Sequence, residues 1–129
     1  MGRHWTFKNY VSASGENEVL AWLNDLPKQA KAKINAMIRR LELLEDLRMP
    51  QVRQLHGQCS DLFELRIKGA GNIQYRPICC HCPENKEVTI LTGATERGGK
   101  FVPRSACSTA QMRKAEIAEK GRTCDHNFR

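Results

Sequence analysis

The string Ile78-Cys79-Cys80-His81-Cys82-Pro83 is the densest group of metal-capable side chains in the 129-residue chain. Thiolates and an imidazole this close together invite a tetrahedral zinc site. Strand alternation argues against one, because it sends Cys80 and Cys82 to one face and Cys79 and His81 to the other. The next Cys/His pair, Cys124 and His126, does not stand at structural-zinc spacing. The expectation is no metal and no cofactor, with the cysteines acting as small apolar strand residues. The second chemistry is cationic. The chain carries 21 Lys/Arg against 14 Asp/Glu, a net charge of +7. Residues 97–129 hold eight basic and three acidic residues, whereas residues 1–50 are nearly balanced. A basic third on a small domain is the footprint of a polyanionic partner, usually nucleic acid or an acidic protein surface.

These groups must be positioned by one domain, since 129 residues bury a real core but do not suffice for two ordinary domains. The domain is expected to span residues 1–121, with 122–129 a mobile tail of low apolar content. No run approaches 18 apolar residues, so no membrane span is expected. MGRHWTFKNY lacks an apolar signal stretch, and six cysteines fall short of a disulfide scaffold. A cytoplasmic protein with reduced thiols is the expectation.

The periodicities predict an α+β order. Residues 3–11 alternate as a strand. A short helix follows from about Glu16 to Asp25, capped by Ser14 or a neighbour. Pro27 then opens a second helix running to about Leu47, with Ile34, Ile38 and Leu41 on its apolar stripe. After a polar connection through Gln54 and His56 come three strands of an antiparallel meander, Leu62–Ile67, Ile73–Cys82 and Glu87–Gly93. The glycines of Lys68–Asn72 supply the first turn. Pro77 removes a ladder donor and predicts an edge or a bulge. Residues 94–106 read as a loop or flap. Ser108 and Gln111 suggest a capping box for a final helix over about 109–120, stopped by Gly121.

The string DLFELRIKGAGNIQYRPICCHCPENKEVTILTG resembles the core of the RelE/HigB superfamily of toxin–antitoxin toxins, and most of all its HigB-like, phage-derived branch. There an L-[WYF]-E-L-R strand is followed by a glycine turn and a strand bearing Y-R. The upstream EVLAWLNDLPKQAKAKINAMIRRLELL is similar to that family's helical hairpin. The resemblance implies a RelE-like α+β fold and a metal-independent endoribonuclease that cuts mRNA on the translating ribosome. It also implies a cognate antitoxin, of helix-turn-helix type. Arg66 matches the arginine of E-L-R and Arg76 that of Y-R, which makes both catalytic candidates. His56 and Arg97 join them, and Lys68, Lys100 and Arg104 are candidate RNA contacts. Cleavage by a ribose 2′-OH needs a base, cations for the phosphorane and an acid for the leaving oxygen. Arg66 and Arg76 on neighbouring strands either converge on a phosphate or pair with carboxylates such as Glu64 or Glu87. On the first reading, Arg76→Ala abolishes growth arrest and leaves folding intact. Where the branch continues H-G-F and then lysines, this chain has Thr92, Gly93, Ala94 and Glu96, and no aromatic but Phe101 and Phe128 follows. Two function classes therefore stand: an RNA-cleaving toxin, or a non-enzymatic binding module such as a gyrase-type inhibitor or an inactive antitoxin-binding relative.

Overall fold

A computed structural model of the chain describes residues 2–126 and 128. The chain order is β1 (Thr6–Tyr10), α1 (Glu18–Asn24), α2 (Lys28–Glu42), β2 (Val52–Gln54), β3 (Phe63–Leu65) and β4 (Ile67–Lys68). Then follow β5 (Gln74–Tyr75), β6 (Ile78–Cys80), β7 (Glu87–Thr92), β8 (Thr95–Arg97), β9 (Lys100–Val102), α3 (Ala106–Lys120) and β10 (Thr123–Asp125). The fold is α+β, as the periodicities predict. A six-stranded sheet runs β10-β1-β7-β6-β3-β2, and a four-stranded sheet runs β4-β5-β8-β9. All pairings are antiparallel except β1 on β7.

The meander is present, but each of its strands crosses from one sheet to the other. Arg66 separates β3 from β4, Arg76 and Pro77 separate β5 from β6, and Gly93 and Ala94 separate β7 from β8. Backbone bonds stitch this crease: Leu65 N donates to Pro77 O and Arg76 N to Ala94 O, at 2.9 and 2.8 Å. Pro77, which has no N–H to give, borders the register shift between Ile78 and Cys79, so it marks a bulge in a central strand. Gly93 is required at the crease because the Trp22 ring occupies the space a Cβ would need.

Side-chain alternation divides the core between the two faces of the large sheet. Phe7, Phe63, Leu65, Cys79, Val88 and Ile90 pack with Val19, Leu23, Ile34, Ile38 and Leu41 of the helical hairpin. Leu62, Ile78, Cys80, Leu91 and Ala94 pack with Ala106, Ala110 and Ile117 of α3. Asn17 caps α1, its Oδ1 accepting from Leu20 N at 3.0 Å, while Ser12 rather than Ser14 receives Glu16 N. Helix α2 ends at Glu42, short of Leu47, and leaves Leu43 and Leu44 exposed. Helix α3 starts at Ala106 without a side-chain cap, and Gly121 closes it with φ +65°. The Ser108/Gln111 box does not form, since Gln111 Nε2 donates to Gln58 O and Ser60 O instead.

Four expectations are corrected. The polar connection contains β2, an edge strand against β3. The 94–106 loop contains the β8–β9 hairpin, whose turn uses positive φ at Gly98 and Gly99. Cys59 and Cys107 are joined as a disulfide, as are Cys80 and Cys82, where reduced thiols were expected. The turn at Gly57–Cys59 packs on α3, and alternation aligns Cys80 with Cys82.

The tail is the fourth. Thr123–Asp125 pairs with β1, although Asn127 and Arg129 lie outside the described residues. What holds it is a buried polar latch, with Phe128 packed against the core of the helical hairpin beside it. The His126 ring nitrogens lie 2.9 Å from Asn9 Oδ1 and 2.8 Å from Asn35 Oδ1, tying the tail to β1 and α2. Burial, helped by the nearby Lys31 charge, pushes the imidazole down to about 4. The unfolded chain takes up this proton near pH 6.5 and the folded chain refuses it until about 4, so stability falls as acid is added across that window. The full window corresponds to about 3 kcal/mol. Urea unfolding at neutral and acid pH should show His126→Asn losing that part of the pH dependence. An unchanged dependence contradicts the latch.

Candidate active site

Helix α3 covers β6 and β7 but leaves open the part of the same sheet face that lies over β2 and β3. The open part forms a cavity of ≈ 160 Å³ lined by Arg53, Leu55, Glu64, Glu96, Gly99 and Phe101. Each reaches it for a local reason. Arg53 stands opposite Glu64 in the β2–β3 ladder, so the two share a face. Glu64 and Arg66 follow Leu62 on the face opposite Leu65 and Ile67. Glu96 and Phe101 are register partners in the β8–β9 hairpin that walls the cavity.

Glu64 is the centre of the arrangement, with 3% of its side chain exposed. Its Oε2 lies 2.5 Å from Arg66 Nη1 and 3.5 Å from Arg76 Nε. Arg76 is as deeply buried and uses all three of its nitrogens. Nε donates to Glu96 Oε1 at 2.9 Å, Nη1 to Tyr75 O at 3.0 Å and Nη2 to Gln74 Oε1 at 3.0 Å. Burial raises the Glu64 carboxyl above its ordinary value. The Arg76 and Arg66 charges pull it back, and the Glu96 carboxylate adds to the rise.

The arginines of the two motifs therefore do meet, but on a carboxylate. The burial of Arg76 revises the expectation that its removal leaves folding intact. Arg66 is half-buried with a guanidinium at the edge of the site. The remaining candidates are placed around the site rather than in it. His56 is exposed at the start of the turn that follows Leu55. Arg97 lines a second groove with Leu26, Asn72, Ile73 and Tyr75, which shares Glu96 with the cavity. Lys100 and Arg104 are exposed along the hairpin and the approach to α3. Lys68 is exposed at the end of β4, where its carbonyl accepts from Lys33 Nζ.

Sequence reasoning passed over Arg53, Glu96 and Phe101 as site residues and treated Glu64 only as a partner. Two signals were present. The alternation of Val52, Arg53 and Gln54 marks a strand with Arg53 on one face. Glu96, a departure from the basic family pattern, is complementary to the invariantly charged Arg76 guanidinium that it contacts.

Residues 21–115 match the protein family described as phage-derived protein Gp49-like (DUF891). No curated protein and no solved structure matches the chain.

Proposed function

The chain belongs to the phage-derived Gp49-like family, a RelE-like family associated with toxin–antitoxin systems, and from that premise we propose that it is the toxin of such a pair. Its activity is metal-independent cleavage of mRNA on translating ribosomes in the cytoplasm. We place it in the HigB-like branch on the L-F-E-L-R and Y-R strings, with a helix-turn-helix antitoxin as cognate partner.

The observation that carries this reading is the convergence of Arg66 and Arg76 on Glu64, a carboxylate that lines one cavity together with Arg53 and Glu96 on the part of the sheet face that α3 leaves open. Three guanidiniums oppose two carboxylates there, leaving net positive charge where a phosphodiester would lie. Guanidiniums suit the phosphorane because they are always charged and present paired donors. In this reading Arg66 and Arg53 stabilise the phosphorane, and Arg76 fixes the carboxylates. His56 stands one residue beyond the cavity wall for proton transfer, and Arg97, Lys68, Lys100 and Arg104 track the RNA backbone.

One observation favours the binding-module alternative. Arg76, half of the motif pair, is fully engaged within the protein. Adding the purified protein to a translating extract separates the two. The toxin reading predicts arrest of synthesis with unchanged DNA supercoiling. Continued synthesis supports the inactive antitoxin-binding form, and altered supercoiling the gyrase-type inhibitor.

A further inference from the structure

We propose that Glu64 is the general base of the site, taking the proton from the ribose 2′-OH through its Oε1 atom. The inference rests on the endoribonuclease reading and deepens it.

The two oxygens of the carboxyl have different surroundings. Among the described residues, Oε2 receives both arginine contacts, from Arg66 and Arg76, and Oε1 receives none. Nor is Oε1 a fully enclosed orphan, for the side-chain polar atoms of the described residues that are both buried and unpartnered are Trp5 Nε1 and Arg122 Nε. One oxygen is thus anchored while the other is left for the cavity that Glu64 lines. A carboxylate held by one oxygen is oriented without being used up, the geometry general-base work needs.

The charges facing Glu64 come from four elements: Arg53 from β2, Arg66 beyond β3, Arg76 at the β5–β6 crease, and Glu96 from β8. Burial raises the basicity of the carboxyl above that of a surface glutamate, and the Arg76 and Arg66 charges oppose part of that rise. The same cations lie beside the proton acceptor, where the phosphorane charge develops.

The step balances within the RNA. The 2′-oxygen forms a bond to phosphorus as its proton passes to Glu64 Oε1. The bond from phosphorus to the 5′-oxygen breaks, and that oxygen takes a proton from His56, which regains one from water. The products are a 2′,3′-cyclic phosphate end and a 5′-hydroxyl end. Glu64 then returns its proton to solvent, so nothing is oxidised or reduced.

The test is single-turnover cleavage of mRNA on stalled ribosomes over about pH 5 to 8.5, for the wild-type protein, Glu64→Gln and Glu64→Asp. Thermal unfolding and ribosome co-sedimentation are followed for each. The wild-type rate should rise along an acid limb centred above the ordinary glutamate value of 4.5. Glu64→Gln should lose about 10²–10⁴-fold in rate together with the limb, and still bind ribosomes. Glu64→Asp should keep a limb at reduced rate. A folded Glu64→Gln that cleaves with the wild-type rate and limb overturns the inference and leaves the endoribonuclease reading standing. Should Glu64→Gln not fold, Glu64→Asp decides: a displaced limb supports the base, and an identical profile overturns it. A wild-type protein that cleaves at no pH removes the reading itself, and the base with it.

Discussion

Arg76→Ala should cost about 3–5 kcal/mol of unfolding free energy, the range for breaking a buried ion pair by removing one partner. The substitution leaves Glu64 and Glu96 facing each other without the cation between them, and strips the Tyr75 carbonyl and Gln74 of a donor. Small domains are stable by only about 5–15 kcal/mol, so much of the protein would be unfolded under mild stress. Urea unfolding followed by circular dichroism measures this. Arg76→Lys, which keeps the charge but loses the planar fork, should fall between wild type and alanine. The pair Arg76→Met with Glu96→Gln should recover part of the loss, because it removes a charge along with its partner. A wild-type unfolding midpoint for Arg76→Ala contradicts the buried network. Loss of growth arrest in that variant reports on folding, and is no test of catalysis.

Arg53→Ala should behave in the opposite way. Arg53 is exposed and makes no ion pair among the described residues, yet it faces Glu64 across the β2–β3 ladder and lines the cavity. Its removal should change stability by no more than about 0.5 kcal/mol. Cleavage should fall by about 10²–10³-fold, the usual loss when one preorganised electrostatic contact to a transition state is deleted. Rate and unfolding midpoint measured on the same preparation check both halves. Full activity in folded Arg53→Ala would move the phosphate site elsewhere, with the groove at Arg97 the next place to look.

The contrast between these two arginines shows what the sequence could disclose. Periodicity located the helical hairpin, the meander and α3, because their apolar stripes are set by burial against a sheet. Helix ends were less legible. Leu43 and Leu44 continue the apolar pattern past Glu42 but find nothing to pack on and remain exposed. The tail was hard to read because β10 is held by pairing to β1 and by the His126 latch, and Phe128 is its single large apolar residue.

The site was legible in part. Arg66 and Arg76 stand out by motif, and alternation puts Arg66 beside Glu64. Alternation does not reveal that the three meander strands break at one crease, and that crease buries Arg76. Nor does it reveal that the β8–β9 hairpin brings Glu96 back onto Arg76 and Phe101 to the cavity wall. Both depend on pairing between distant segments.

Mapping mRNA ends in a translating extract after adding the purified protein tests the central claim most directly. The account predicts new 5′-hydroxyl ends inside coding sequence, present only while ribosomes translate and reduced with Arg53→Ala. Intact message under active translation, with the folded protein present, would contradict it.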